Sequence, residues 1–172
     1  RWQSAIRAVK AMVDEREIGE PYFGRVSFRS GYDVWAGQPY LAKAKRFIVD
    51  DLGVHVLDVA RFLFGDVATL TARTARVNPN IAGEDTATML LDHESGVTSI
   101  VDCSYSTRQA VEQFPETVIE IDGSQGTIRL KQGYRMVVCG RSGNVERDVS
   151  PPLLPWASRP WHNIQESVAA IQ

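Results

Sequence analysis

Cysteine is scarce. Cys103 and Cys139 are the only two in 172 residues, and no CxxC pair occurs. That excludes a disulfide scaffold, a zinc ribbon and a thioredoxin-like redox centre. It predicts two buried, reduced thiols, the pattern of a cytoplasmic protein. Excess charge is also lacking: 19 Lys and Arg against 21 Asp and Glu leave a formal net charge of −2. A basic nucleic-acid footprint is therefore absent. Long apolar runs are missing as well. The longest stretch without Asp, Glu, Lys or Arg runs from Val149 to Ser158 and contains three prolines. A membrane-spanning helix takes about 20 apolar residues, so this sequence implies neither nucleic acid nor membrane as a partner. No methionine or signal segment opens the chain.

What is present is an ordinary globular composition, 44% hydrophobic and 23% charged. The length suits one domain with a proper core rather than two. Trp2, Ile6, Val9 and Val13 recur at helical spacing across Arg1 to Ile18, and Gly19 and Pro21 stop that helix. Tyr22 to Arg29 alternates at strand period, with Val26 and Phe28 on one side. Residues 30–49 are irregular, and so long a connection signals function. A second helix is expected from about Asp50 to Phe64, closed by Gly65. Seven further short runs follow, over residues 68–77, 85–92, 97–105, 117–122, 127–130, 134–139 and 145–149. Turn signals separate them and imply an antiparallel meander. A last helix is expected from Ser158. The fold class is thus α+β: an open, mostly antiparallel sheet with helices packed on one face. The chain begins at Arg1 and closes at Gln172 within helical patterns, which predicts one domain over 1–172, truncated at both ends.

Chemistry concentrates in Asp51-Leu52-Gly53-Val54-His55-Val56-Leu57-Asp58. On a helix, steps of four and three bring Asp51, His55 and Asp58 to nearly one face. A carboxylate beside an imidazole can orient it, and an oriented histidine can exchange a proton with a substrate hydroxyl. The bland alternative is that Asp51 caps the helix, Asp58 is solvated and His55 is a hydrogen-bonded core residue. Spacing alone leans toward that alternative. Gly53 leans the other way, since a glycine inside a helix costs about 1 kcal/mol against alanine and permits close approach by a ligand or another segment.

A zinc reading is weaker. Asp51 and His55 can both ligate a metal, but a third ligand would have to be His93, in an apparent exposed turn, or His162, and nothing fixes their distance. No metal is expected. The loop before the helix carries Tyr32, Trp35, Tyr40, Lys43, Lys45 and Arg46. These either line a polyol pocket or serve as loop anchors and solvated charges. Gly123-Ser124-Gln125-Gly126 reads as a hairpin turn rather than a phosphate loop.

The Asp51-x-Gly53-x-His55-x-x-Asp58 helix, with Ala60-Arg-Phe-Leu-Phe-Gly65 behind it, resembles the corresponding helix of the Gfo/Idh/MocA oxidoreductases. Ile18-Gly-Glu-Pro21, Glu84-Asp-Thr-Ala87 and Ile119-Glu-Ile-Asp-Gly-Ser-Gln-Gly126 resemble other junctions of that family, so the similarity covers nearly the whole chain. It implies a C-terminal substrate and oligomerisation domain whose partner, an N-terminal Rossmann domain binding NAD or NADP, is absent from this chain. No GxGxxG and no Glu-Lys-Pro occur. The implied activity is oxidation or reduction of a sugar, cyclitol or related polyol. His55 would be the acid/base, with Asp51 supporting it, and Asp58, Trp35 and Arg46 would contact substrate. The isolated domain would be inactive and the open sheet face would build a homo-oligomer, commonly a dimer. Phe47-Ile-Val-Asp50 replaces the glycine run found in many members, which leaves substrate identity open. Two alternatives stand beside this reading: a dimerisation module without its own activity, and NAD-assisted glycoside cleavage.

Overall fold

The computed structural model describes residues 3–111 and 117–150. Helix α1 (Ser4–Asp14) leads into strand β1 (Pro21–Arg29). A short helix α2 (Val34–Gly37) and a turn at Pro39–Lys43 precede helix α3 (Val54–Phe64). Seven strands follow: β2 (Val67–Ala75), β3 (Thr86–His93), β4 (Thr98–Ser104), β5 (Thr117–Gly123), β6 (Gly126–Lys131), β7 (Arg135–Gly140) and β8 (Gly143–Asp148). They form one sheet in the order β2-β3-β4-β1-β5-β6-β7-β8. Trp2 and the helix expected from Ser158 lie outside the described residues.

All eight expected strands are present. The connectivity departs from a simple meander, because β1 is inserted between β4 and β5. It runs parallel to β4 and antiparallel to β5. The remaining neighbours are antiparallel, so the sheet is mixed with a single parallel pair.

Both long helices lie on one face. α3 packs on β1 and β4, and α1 packs on α3 and β6. Strand alternation fits this arrangement: Ala87, Met89, Leu91 and His93 of β3 are buried, while Thr88, Leu90 and Asp92 are exposed. The main core holds Ile6, Val9 and Val13 of α1 and Val56, Val59 and Leu63 of α3 against Val26, Leu91, Val101, Ile119 and Ile128 of the sheet. Gly24 allows the closest approach: a side chain there would overlap the Phe64 ring. Gly65 ends α3 with φ +91°, as a terminating glycine should. Gly19, at φ +72°, turns the chain into β1. The Ser124-Gln125 turn of the β5–β6 hairpin clasps that junction, Gln125 N donating to Ile18 O and Ser124 N to Glu20 O.

A second, smaller cluster of Val34, Leu41, Phe47 and Ile81 anchors the long loop between β1 and α3. Tyr105 packs against both clusters and so sits at their seam. The thiols differ from expectation in one respect. Cys103 is buried, but Cys139 is exposed, because alternation along β7 turns Val138 inward and Cys139 outward. Burial pushes the Cys103 thiol up to about 12.

Candidate active site at the start of helix α3

The chain does not enter α3 as a plain α-helix. Residues Val49–Gly53 form a wider π-turn, and α-geometry begins at Val54. A π-turn holds roughly one residue more than an α-turn, and such insertions concentrate at functional sites. Asp51 lies inside this turn and His55 just beyond it. They are four apart in sequence, yet no hydrogen bond or ion pair joins them among the described residues. Asp51 instead accepts from the Tyr105 hydroxyl at 3.1 Å. His55 is exposed on the first turn of α3, and Asp51 and Asp58 are half-buried. His55 and Asp58 remain three apart within regular helix and share a face. Asp58 also acts through space on Arg61, whose stronger partner is the Asp66 carboxylate.

Gly53 is buried, and its expected close approach by another segment does not occur. A side-chain carbon there would meet only its own turn, with the Ile48 carbonyl nearest at 3.4 Å. Its place in the π-turn is the feature that distinguishes it.

Of the loop candidates, Trp35 packs beside Tyr105 and Arg46 lies on the exposed side of the loop. The Trp35 ring lies 5.5 Å from Phe47 and 6.5 Å from Tyr105, centroid to centroid. Its Nε1 is buried and has no hydrogen-bond partner among the described residues. Arg46 is exposed and makes no hydrogen bond or ion pair with a described residue.

His93 is not in an exposed turn. It is 4% exposed, with Nδ1 3.0 Å from Gly65 O and Nε2 2.8 Å from Ser99 Oγ. The carbonyl can only accept, so Nδ1 carries a proton, and both nitrogens are committed to the fold. Among the described residues no cluster of three His, Cys, Asp or Glu side chains is arranged to hold a metal. His162 lies outside the described residues.

Sequence reasoning missed three residues that build the site. Tyr105 directly follows β4, and nothing in its neighbourhood marks it as the partner of a residue 54 positions away. Glu84 accepts from the Phe47 amide at 3.1 Å, and its carbonyl accepts from Ile48 N. Asp85, fully buried, accepts from the amides of Val77 (2.7 Å) and Asn78 (2.8 Å) and from Ser106 Oγ (2.5 Å). Together these carboxylates lock the 77–84 loop against the segment that enters α3. Gly83 permits the contact, since a side chain there would sit 2.6 Å from Ala44 O.

An eight-stranded mixed sheet with helices on one face, one of them entered through a π-turn that carries Asp51, frames the candidate site. The chain matches the GFO/IDH/MocA C-terminal domain over residues 6–129 and belongs to that family. It is 67% identical over 172 residues to a D-apiose dehydrogenase of Rhizobium rhizogenes, covering 100% of this chain and 50% of that protein. It is 59% identical to a D-apiose dehydrogenase of Paraburkholderia graminis, covering 46% of it. The chain thus spans about half the length of the curated relatives it matches. Among solved structures, an oxidoreductase from Agrobacterium radiobacter in complex with NAD+, L-tartaric acid and magnesium superposes with a TM-score of 0.91. It is 67% identical, with 100% of this chain and 50% of that one covered. A levoglucosan dehydrogenase in complex with NADH and levoglucosan shares the fold, with a TM-score of 0.74 at 16% identity over 99% of this chain and 52% of that one.

Proposed function

We propose that this chain is the C-terminal, substrate-binding half of an NAD(P)-dependent oxidoreductase acting on a sugar, cyclitol or related polyol, with D-apiose the first candidate. The relatives support the substrate class, and the match to half of their length supports the domain assignment. The observation that carries the reading is an exposed His55 directly beyond a carboxylate, Asp51, that is held by a neighbouring hydroxyl. His55 takes the proton of the reacting hydroxyl, Asp51 binds and orients the substrate, and Asp58, Trp35 and Arg46 supply further contacts. The described residues contain no glycine-rich strand-to-helix turn, so they do not cradle a dinucleotide alone. What they offer such a group is the proton acceptor that removal of hydride from a carbinol requires. When bound, the nicotinamide accepts that hydride.

The same reading includes a second copy of the chain on the bare sheet face, where Leu90 is 46% exposed and no described helix packs. Cytoplasmic residence fits two thiols outside any disulfide. No helix among the described residues is long and apolar enough to cross a membrane.

The test is turnover by the full-length protein that carries this chain, assayed for NAD+ and NADP+ reduction with D-apiose and a panel of sugars and polyols. His55→Ala should lower kcat by about 10²- to 10⁴-fold, the usual range for a general base. Equal activity in the variant overturns the assignment. Light scattering on the same protein reads the second copy, and a strict monomer overturns that part.

A further inference from the structure

We infer that Tyr105 is a positioning residue: its hydroxyl holds the Asp51 carboxylate in a single orientation at the entrance to α3. The inference rests on the proposed role of Asp51 and His55 in proton transfer and adds to it a residue from a different element of the fold.

Three observations carry it. First, the 3.1 Å bond from Tyr105 to Asp51 Oδ2 is the one side-chain hydrogen bond that Asp51 receives among the described residues, and Oδ1 has no partner there. One oxygen is therefore tied to the fold while the other is left for a ligand. Second, the tyrosine has little freedom to move. Its ring stacks on Phe47 at 5.6 Å and meets Trp35 and Phe28 edge-on, each at 6.5 Å. Its amide donates to the backbone carbonyl of fully buried Asp85 at 3.0 Å, which ties its main chain to the loop system. Third, the hydroxyl stays protonated. Burial, followed by the negative charge of Asp51 and the hydrogen bond to it, raises its pKa well above the ordinary phenol range. Throughout the working range of pH it can donate to Asp51, and a hydrogen bond to an ionised carboxylate is among the stronger ones.

The π-turn gives this contact its importance. Asp51 lies within the π-turn and meets Tyr105, not the imidazole one turn on. Orientation of Asp51 is thus delegated from its own helix to the end of β4. Losing the donor should allow the carboxylate to rotate.

The experiment is Tyr105→Phe in the full-length protein. The ring contacts remain and only the hydroxyl is removed. Expected are a roughly tenfold fall in kcat, equivalent to about 1.4 kcal/mol in the barrier, and an unchanged KM for the dinucleotide. Replacing Tyr105 by 4-aminophenylalanine, which keeps a donor, should restore most of the rate. Replacing it by 4-fluorophenylalanine, which fills the hydroxyl volume without donating, should not. That pair keeps the test readable if Tyr105→Phe does not fold. In an Asp51→Asn background the loss of the hydroxyl should change kcat by less than about twofold, as expected of residues acting as one unit. A wild-type rate in Tyr105→Phe, or an equal tenfold loss in the Asp51→Asn background, overturns the inference. Wild-type activity in both His55→Ala and Asp51→Asn instead marks failure of the proposed site itself.

Discussion

Arg25 grips the buried carboxylate of Asp102 with two nitrogens, Nε at 2.9 Å and Nη2 at 2.8 Å from Oδ2. Oδ1 of the same carboxylate takes Arg29 at 2.9 Å and Ser27 Oγ at 3.0 Å. The cluster lies on the sheet face that α1 and α3 leave bare. Its three β1 residues alternate at period two, and Ser27 pairs directly with Asp102 across the parallel ladder. This is the bond set that stitches the inserted strand β1 to β4, the one parallel junction of the sheet.

Acid should disable this cluster only at low pH, after ordinary carboxylates have taken up protons. Burial raises the pKa of Asp102, but hydrogen bonds from Arg29 and Arg25, the Arg25 charge and Ser27 outweigh it, and the carboxyl lies below the ordinary carboxylate range. A folded-state pKa depressed in this way contributes stability that is full above the unfolded value near 3.9 and is lost as pH falls through the folded one. Asp102→Asn should destabilise the fold at neutral pH by about 1–3 kcal/mol, modestly because both guanidiniums stay part-solvated. Urea titrations between pH 2 and 6 should show the gap between wild type and variant closing at the acidic end. A gap independent of pH would show that the charge of Asp102 contributes nothing.

Asp85 is the next sensitive point. Asp85→Ala removes the acceptor of two backbone amides and one hydroxyl in a fully buried setting. Each unmet buried donor costs about 1–3 kcal/mol, so a loss of roughly 2–4 kcal/mol is expected after relaxation. Hydrogen exchange should accelerate selectively over 76–84 and over the segment entering α3, because Glu84 bonds Phe47 and Ile48 from the adjacent position. Unchanged exchange in the second segment would separate the two loops.

These two carboxylates show what the sequence made legible. Alternation exposed every strand, and the apolar stripes at Ile6, Val9 and Val13 and at Val56, Val59 and Leu63 marked the helices and their buried sides. Alternation also held the answers at His93 and Cys139: His93 is in phase with buried Leu91, and Cys139 is out of phase with buried Val138. What periodicity cannot encode is pairing at a distance. The insertion of β1 between β4 and β5 joins residues about 75 positions apart, such as Ser27 and Asp102. The π-turn leaves the spacing of apolar residues intact while changing which partner Asp51 meets. The candidate residues could therefore be picked out one by one, whereas the link from Asp51 to Tyr105 required the fold.

Gly24 tests how closely α3 is seated. Gly24→Ala would drive a methyl group into the Phe64 ring, which is itself 4% exposed and packed edge-on against His93 at 5.4 Å. Overpacking of this kind costs about 1–3 kcal/mol. Pairing it with Phe64→Leu should recover part of that loss, since the smaller side chain vacates the ring volume. Thermal melting of the two single variants and the double variant provides the check. Strict additivity would show that Gly24 and Phe64 do not share the space.

The two thiols offer a reading of the fold that needs no activity. Cys103 lies in β4 beneath the helices, and burial, reinforced by the neighbouring Asp102 charge, pushes its pKa up to about 12. The nucleophile in thiol alkylation is the thiolate, so at pH 8 this side chain is both shielded and protonated. Cys139 is exposed on the bare sheet face. Reaction with a maleimide or an aromatic disulfide should modify one thiol quickly in the folded protein and both in urea. Cys139→Ser should abolish the fast phase, and Cys103→Ser should leave it unchanged. Because Cys139 lies on the face proposed to receive a second copy, its rate should also fall as protein concentration rises if that copy covers β7. A rate independent of concentration would place the contact elsewhere on the sheet.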